Sequence, residues 1–156
     1  MRKTSWAAIA AGIALSISAC GGTSKKEPEA PPAAEAAPAK PLYDRLGGQG
    51  AITAVVDDFV GNVAADARIN KRFANANIPR LKTLLVEQIC AASGGPCTYS
   101  GRDMVTAHTG MNIQPAEFDA LVDDLVKSLD KFKVPAREKG ELLGALGGMK
   151  PAIVGK

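Results

Sequence analysis

The chain has 156 residues, of which 22% are charged, and its formal net charge is +3. So small an excess of positive charge gives no reason to expect a nucleic-acid partner. If the basic pair at positions 2 and 3 is removed with a leader, the formal charge falls to +1. The remaining length suits one small domain.

Residues 1–19 are typical of a lipoprotein signal peptide. The basic pair is followed by an apolar run over residues 6–17 and by small residues that lead to Cys20. The run is shorter than the roughly 20 residues that a permanent transmembrane helix needs. The ending ISAC resembles a bacterial lipobox, which implies cleavage before Cys20 and lipidation of that residue. A free cysteine after an ordinary signal is the alternative.

A linker over residues 20–41 follows the signal. Prolines recur among Ala, Glu and Lys, and large apolar residues are absent from this stretch of sequence. Such a composition cannot form a core and predicts a semi-extended tether to a folded domain at residues 42–156. Gly21, rather than Asp, follows the lipidated cysteine. By analogy with other lipoproteins we therefore expect an exported protein, anchored through Cys20 at the outer membrane of the bacterial cell envelope and facing the periplasm.

The folded domain is predicted to be all-α. Apolar residues recur at helical spacing over residues 52–63, 81–89 and 118–132, and strand-like alternation is hard to find. A fourth helix from Pro135 to about Ile153 is less secure because glycines within a helix destabilise it. Glycine pairs at positions 47–48 and 94–95 predict sharp reversals of the chain through positive backbone angles.

Two cysteines, Cys90 and Cys97, remain once Cys20 is assigned to lipidation. An even remainder in an exported chain favours a disulfide. The intervening AASGGP is rich in turn residues, so the two cysteines can meet if the chain reverses there. Two independent thiols are the alternative, and the spacing does not suit a metal site.

His108 is the single histidine of the chain. Met104 and His108 are four residues apart, so one or two helical turns would present both inward. Zinc sites need further ligands, which do not occur at suitable spacing, and a catalytic triad would need a nucleophile motif that is missing nearby. Haem iron needs only one protein ligand. A surface or hydrogen-bonded histidine is the simpler alternative.

Residues 42–154 resemble the group I truncated haemoglobins. The stretches LYDRLGG, AITAVVDDFV, IPRLKTLL and GGPCTYSGRDMVTAHTGMNI are similar to the opening, first long helix, distal helix and proximal segment of that family. The resemblance implies a two-over-two helical sandwich around haem b, which binds the diatomic gases O2, CO and NO. It also implies that His108 ligates the iron, with its other ring nitrogen oriented by an acceptor such as a backbone carbonyl.

The resemblance also assigns residues around the haem. Phe73 would stack on the porphyrin. Apolar contacts would come from Phe59, Leu81, Leu85, Met104, Ile113, Phe118 and Val122. Partners for the propionates would be Arg80, Lys82 and Tyr99, although a merely solvated cation is equally plausible for the two basic residues.

The distal side departs from the family pattern. Group I members typically carry a Tyr after the Phe of the first long helix, where this chain has Val60, and at least one polar residue on the distal helix. The matching distal positions are Leu81, Leu84 and Leu85. The one amide on that face, Gln88, lies seven residues beyond Leu81, toward the expected haem edge. We therefore expect weaker O2 binding than in a pocket with hydrogen-bond donors, and discrimination in favour of CO and NO.

The sequence supports two functions of different class. The first is a tethered haemoprotein that binds, buffers or senses a gas. The second is an NO dioxygenase or weak peroxidase supplied by an unidentified electron donor. An O2-dependent enzyme usually gains from polar distal groups, so the first interpretation is favoured. A globin scaffold that has lost haem is a third possibility, against which the retained His108, Phe73 and Met104 argue.

Overall fold

The computed structural model describes residues 40–156. The predicted signal peptide, Cys20 and nearly all of the tether therefore lie outside the described residues. Between residues 40 and 156, none of the helices has the length and apolarity needed to cross a membrane.

The described chain contains six α-helices, one 3-10 helix and no strand, which confirms the all-α prediction. The long helices α2, α3, α5 and α6 correspond to the four predicted ones, and α4 is the short turn that carries the histidine. The elements are α1 (Leu42–Arg45), α2 (Gly48–Ala65), the 3-10 helix (Asn70–Phe73), α3 (Ile78–Ala92), α4 (Met104–His108), α5 (Pro115–Lys131) and α6 (Ala136–Ile153).

Side-chain caps mark the beginnings of α3 and α4. The carboxamide of Asn77 accepts a hydrogen bond from the backbone N–H of Arg80 at 3.0 Å, at the start of α3. The carboxylate of Asp103 accepts one from the backbone N–H of Thr106 at 3.0 Å, at the start of α4. Each cap satisfies an N–H group that the first turn of a helix leaves without a partner.

Helix α2 forms the centre of the packing. It contacts mainly α3 and α5, while α6 contacts α5 and α4. Every residue of its predicted apolar stripe is buried: Ile52, Val55, Val56, Phe59, Val60 and Val63. At the start of the chain, Arg45 of α1 is tied to α6 by an ion pair with Glu138 at 2.6 Å and by a second with Glu141.

Helix α3 is buried differently. On α3 only Val86 and Cys90 are buried, whereas its leucines are half-buried. Much of its apolar face lines a cavity rather than a packed core. This difference in burial could not be read from the helical spacing, which is the same for α2 and α3.

The first glycine pair behaves as predicted, whereas in the second only Gly94 has a positive φ, of +80°. Gly47 and Gly48 have φ angles of +94° and +73° and make the reversal between α1 and α2. Gly95 is needed for space: a Cβ atom there would lie 2.5 Å from Cδ2 of Tyr43 and 2.7 Å from Sγ of Cys90. The loop after α3 can therefore pass this close to α1 only with glycine at that position.

A disulfide closes the same loop. It joins Cys90, at the end of α3, to Cys97, with a Cα–Cα distance of 5.7 Å. Cys90 is fully buried and Cys97 is half-buried. The bridge therefore anchors the segment that leads from α3 to α4.

Candidate functional site

An apolar cavity of about 190 Å³ lies among α2, α3, α4, α5 and α6. Apart from Gln88, His108 and the thioether of Met149, its wall is hydrocarbon. The apolar lining residues include Phe59, Val60, Val63, Phe73, Ile78, Leu81, Leu85, Ile89, Leu121, Leu125, Leu142 and Leu146. The cavity thus brings together seven of the predicted residues: Phe59, Val60, Phe73, Leu81, Leu85, Gln88 and His108.

The imidazole of His108 is held in a defined tautomer. Its Nδ1 lies 2.7 Å from the carbonyl oxygen of Met104, one turn earlier in α4. Because a carbonyl oxygen can only accept, Nδ1 carries the hydrogen, so in the neutral ring Nε2 is the nitrogen with the free lone pair. Nε2 makes no hydrogen bond within residues 40–156. A neutral imidazole with a free Nε2 is the form that ligates a metal.

The distal helix presents hydrocarbon to the cavity. Leu81 and Leu85 lie on the wall, and buried Val60 of α2 lies beside them. Leu84 is half-buried, but it is not part of the wall. It lies about 100° further round α3 than Leu85, at the margin of the face that Leu81 and Leu85 share.

Gln88 lies on the wall with its amide nitrogen occupied. Nε2 lies 3.4 Å from Sδ of Met104 on α4 and 3.3 Å from Sδ of Met149 on α6. Met104 is therefore close to the site through Gln88, although it is not itself among the wall residues.

The three predicted propionate partners lie off the cavity wall. Arg80 donates through Nη2 to Oγ of Ser100 at 3.1 Å, and the hydroxyl of Tyr99 donates to the backbone carbonyl of Arg102 at 3.0 Å. Lys82 pairs with Asp57, with 2.9 Å between Nζ and Oδ1. Lys82 thus has a carboxylate partner within the protein.

Three predicted apolar contacts also lie elsewhere. Phe118 is buried, with Nζ of Lys150 5.1 Å from the centre of its ring. Ile113 forms an isolated bridge to Val154, and Val122 is half-buried on α5. In their place α5 directs two other residues of the same apolar stripe to the cavity, Leu121 and Leu125.

Helix α6 contributes a face of the wall that the sequence analysis did not assign to the site. Its members are Leu142, Ala145, Leu146 and Met149. Their spacing of three, four and seven residues identifies one side of a helix. That spacing is compatible with an ordinary core, so it gave no signal for a cavity.

The wall suits an apolar, planar group that needs one nitrogen ligand. Hydrocarbon surrounds the cavity, two phenyl rings border it, and a single imidazole offers an Nε2 that has no hydrogen-bond partner in residues 40–156. These are the requirements of a haem with one axial histidine. The fold and the site together define a globin.

Comparison with known proteins identifies the family. Residues 41–154 match the family described as bacterial-like globin. The chain is 37% identical over 112 residues to the group 1 truncated haemoglobin GlbN of Mycolicibacterium paratuberculosis, covering 72% of this chain and 82% of that relative. It is 34% identical over 115 residues to GlbN of a Nostoc species, covering 74% and 98%.

A solved structure agrees with this assignment. The truncated haemoglobin from Tetrahymena pyriformis in its Fe(III) form superposes with a TM-score of 0.72 and 30% identity, covering 75% of this chain and 100% of that one. This protein therefore belongs to the bacterial-like globins and, among them, to the group 1 truncated haemoglobins. Its helices form the two-over-two globin fold, and its cofactor is haem.

Proposed function

We propose that this globin binds a diatomic gas at a haem iron ligated by Nε2 of His108, on the side of a distal wall where Val60, Leu81 and Leu85 offer no hydrogen-bond donor. When bound, the haem supplies a ferrous iron with a free coordination position for O2, CO or NO. The residues of this chain hold that group, orient its ligand and determine the polarity around the gas.

One observation carries the proposal: the contact of 2.7 Å between Nδ1 of His108 and the carbonyl oxygen of Met104. A ligating histidine almost always donates its second N–H to such an acceptor, which orients the ring and raises the basicity of the ligating nitrogen. Because donor and acceptor lie in the same short helix, the ring orientation is built into α4 itself.

The distal wall supports a selectivity for CO and NO relative to O2. Val60, Leu81 and Leu85 carry neither N–H nor O–H groups in their side chains. O2 binding depends on a donor more strongly than CO or NO binding does. Because these three side chains cannot polarise bound O2, gas binding is also better supported than O2-dependent catalysis.

Absorption spectra of the haem-loaded protein test the ligation. We expect the ferrous spectrum of a histidine-ligated haem in the wild type and its loss in His108→Ala. Free imidazole should restore that spectrum, because the truncation opens space at the ligating nitrogen. Thr109→Ala, which changes the neighbouring exposed residue, is the control and should match the wild type. An unchanged ferrous spectrum in His108→Ala would refute the proposed ligand.

We further propose that the globin is anchored at the bacterial cell envelope, facing the periplasm. The support is the signal-like sequence of residues 1–19, its lipobox-like ending at Cys20 and the proline-rich stretch that follows. More than one acyl chain on Cys20 would give stable anchoring.

A further inference from the structure

Gln88 links the distal helix to two other helices. Its Nε2 lies 3.4 Å from Sδ of Met104 and 3.3 Å from Sδ of Met149. A side-chain amide has two N–H groups, and a thioether sulfur can only accept. Nε2 thus has two sulfur acceptors for its two N–H groups, and donation to a gas ligand would have to replace one of these contacts.

Met104 connects this link to the histidine. Its sulfur accepts from Gln88, and its carbonyl oxygen accepts from Nδ1 of His108 at 2.7 Å. A single residue of α4 thus contacts both the amide on the distal helix and the ring of His108.

Helix α4 needs such support because it has only five residues, Met104–His108. A helix this short is not stable by itself, so its position and rotation depend on tertiary contacts. Its main packing partner is α6, which also carries Met149. Gln88 therefore contacts both α4 and the helix on which α4 rests.

We propose that Gln88 is a positioning residue that holds α4, and through it the ring of His108, in place. The alternative role, a donor to the gas ligand, would need an N–H directed into the cavity. Individual N–H···S contacts are weak, but a partly buried amide without acceptors would lose free energy, so the three side chains favour one arrangement. This inference rests on the proposed ligation by His108.

The test compares Gln88→Leu with Met149→Leu in the haem-loaded protein. Resonance Raman spectroscopy of the ferrous form reports the iron–histidine stretch, and transfer of haem to an excess of apomyoglobin reports haem loss. Both variants should shift or broaden the iron–histidine band and speed haem loss several-fold. The CO stretching frequency, which reports distal polarity, should stay as in the wild type.

Hydrogen exchange adds a readout that does not depend on gas binding. The amides of Ala107 and Thr109 donate within α4 and its C-terminal turn, each at 2.9 Å. Both should exchange several-fold faster in Gln88→Leu and in Met149→Leu. Gln49→Leu makes the same chemical change at an exposed site on α2 and should leave these amides unaffected.

The double variant decides whether the two residues act through one contact. If they do, Gln88→Leu combined with Met149→Leu should differ little from either single variant in haem loss and in exchange. Met149→Leu conserves volume, so it remains informative even if Gln88→Leu folds poorly.

Two results would overturn the proposal. One is faster O2 release with a shifted CO stretch but an unchanged iron–histidine band, which would make Gln88 a distal donor. The other is no change in any readout for either variant. Failure of the ligation itself would appear separately, as a ferrous spectrum that does not depend on His108.

Discussion

Leu84 and Leu85 are neighbours on α3, but only Leu85 lies on the cavity wall. This pair allows the polarity of the distal side to be changed at one position while the same change at the next position serves as the control. Both side chains are half-buried, so the two substitutions start from similar environments.

We expect Leu85→Gln to slow O2 dissociation by about ten- to a hundredfold. A hydrogen bond to a strongly polar acceptor contributes roughly 1.5 to 3 kcal/mol, and each 1.4 kcal/mol or so is a factor of ten. Leu84→Gln should change the rate by less than about twofold. Stopped-flow displacement of O2 by CO measures both, and equal effects of the two substitutions would contradict the assignment of Leu85 to the distal wall.

At the scale of elements, the disulfide and the close approach at Gly95 hold the loop between α3 and α4 in place. The disulfide joins cysteines seven residues apart and so restricts the unfolded chain. In the chain-entropy model this restriction stabilises the fold by about 2 to 3 kcal/mol. Gly95 lets the same loop approach Tyr43.

Cys97→Ala should therefore lower the free energy of unfolding by about 2 to 3 kcal/mol. Cys90→Ala should cost more, because it also removes a fully buried sulfur. Urea unfolding at constant haem loading measures these changes. A reductant should destabilise the wild type by a similar amount and leave Cys97→Ala unaffected; a wild type indifferent to reductant would show that the bridge does not contribute.

The sequence predicted the positions of the long helices better than it predicted where those helices end or where the short helices lie. Apolar spacing located α2, α3, α5 and α6, including α6 with its glycines. The spacing assigns Phe132 to the third stripe, yet this residue lies just beyond the end of α5 at Lys131 and is 43% exposed. The four-residue α1 and the 3-10 helix are too short for periodicity to register.

At the scale of the whole molecule, carboxylates that accept hydrogen bonds from arginines make folding sensitive to acid. The hydrogen bonds from Arg68 lower the pKa of Asp66 to about 2. Arg72 lowers the pKa of Glu117, and Arg45 lowers that of Glu141. A carboxylate with a lowered folded-state pKa stabilises the fold above its ordinary pKa and loses that contribution as the pH falls through the folded-state value.

The free energy of unfolding should accordingly fall as the pH is lowered from about 5 toward 2. Asp66→Asn should flatten the lower part of this dependence, since its carboxylate is the one whose pKa is lowered to about 2. Asp44→Asn removes an exposed carboxylate from α1 and controls for the change in net charge. Urea unfolding across this pH range measures the slopes, and identical slopes in wild type and Asp66→Asn would contradict the linkage.

Anchoring also concerns the molecule as a whole. The wild type should fractionate with bacterial membranes, and Cys20→Ser should be released into the soluble fraction, because the substitution removes the proposed site of lipidation. Recovery of the wild type in the soluble fraction would refute the anchor without affecting the proposal for haem ligation.

The sequence by itself determined the helical stripes, the one available imidazole and the apolar residues of the distal helix. These are local properties, because spacing along one helix specifies a face and residue type specifies its chemistry. Only the tertiary structure decided that Leu85 lines the cavity while Leu84 does not, that α6 forms part of the wall, and that Gln88 meets Met104 and Met149, which are 16 and 61 residues away. Those outcomes depend on how each helix is rotated against its neighbours, and periodicity within a single helix carries no information about that rotation.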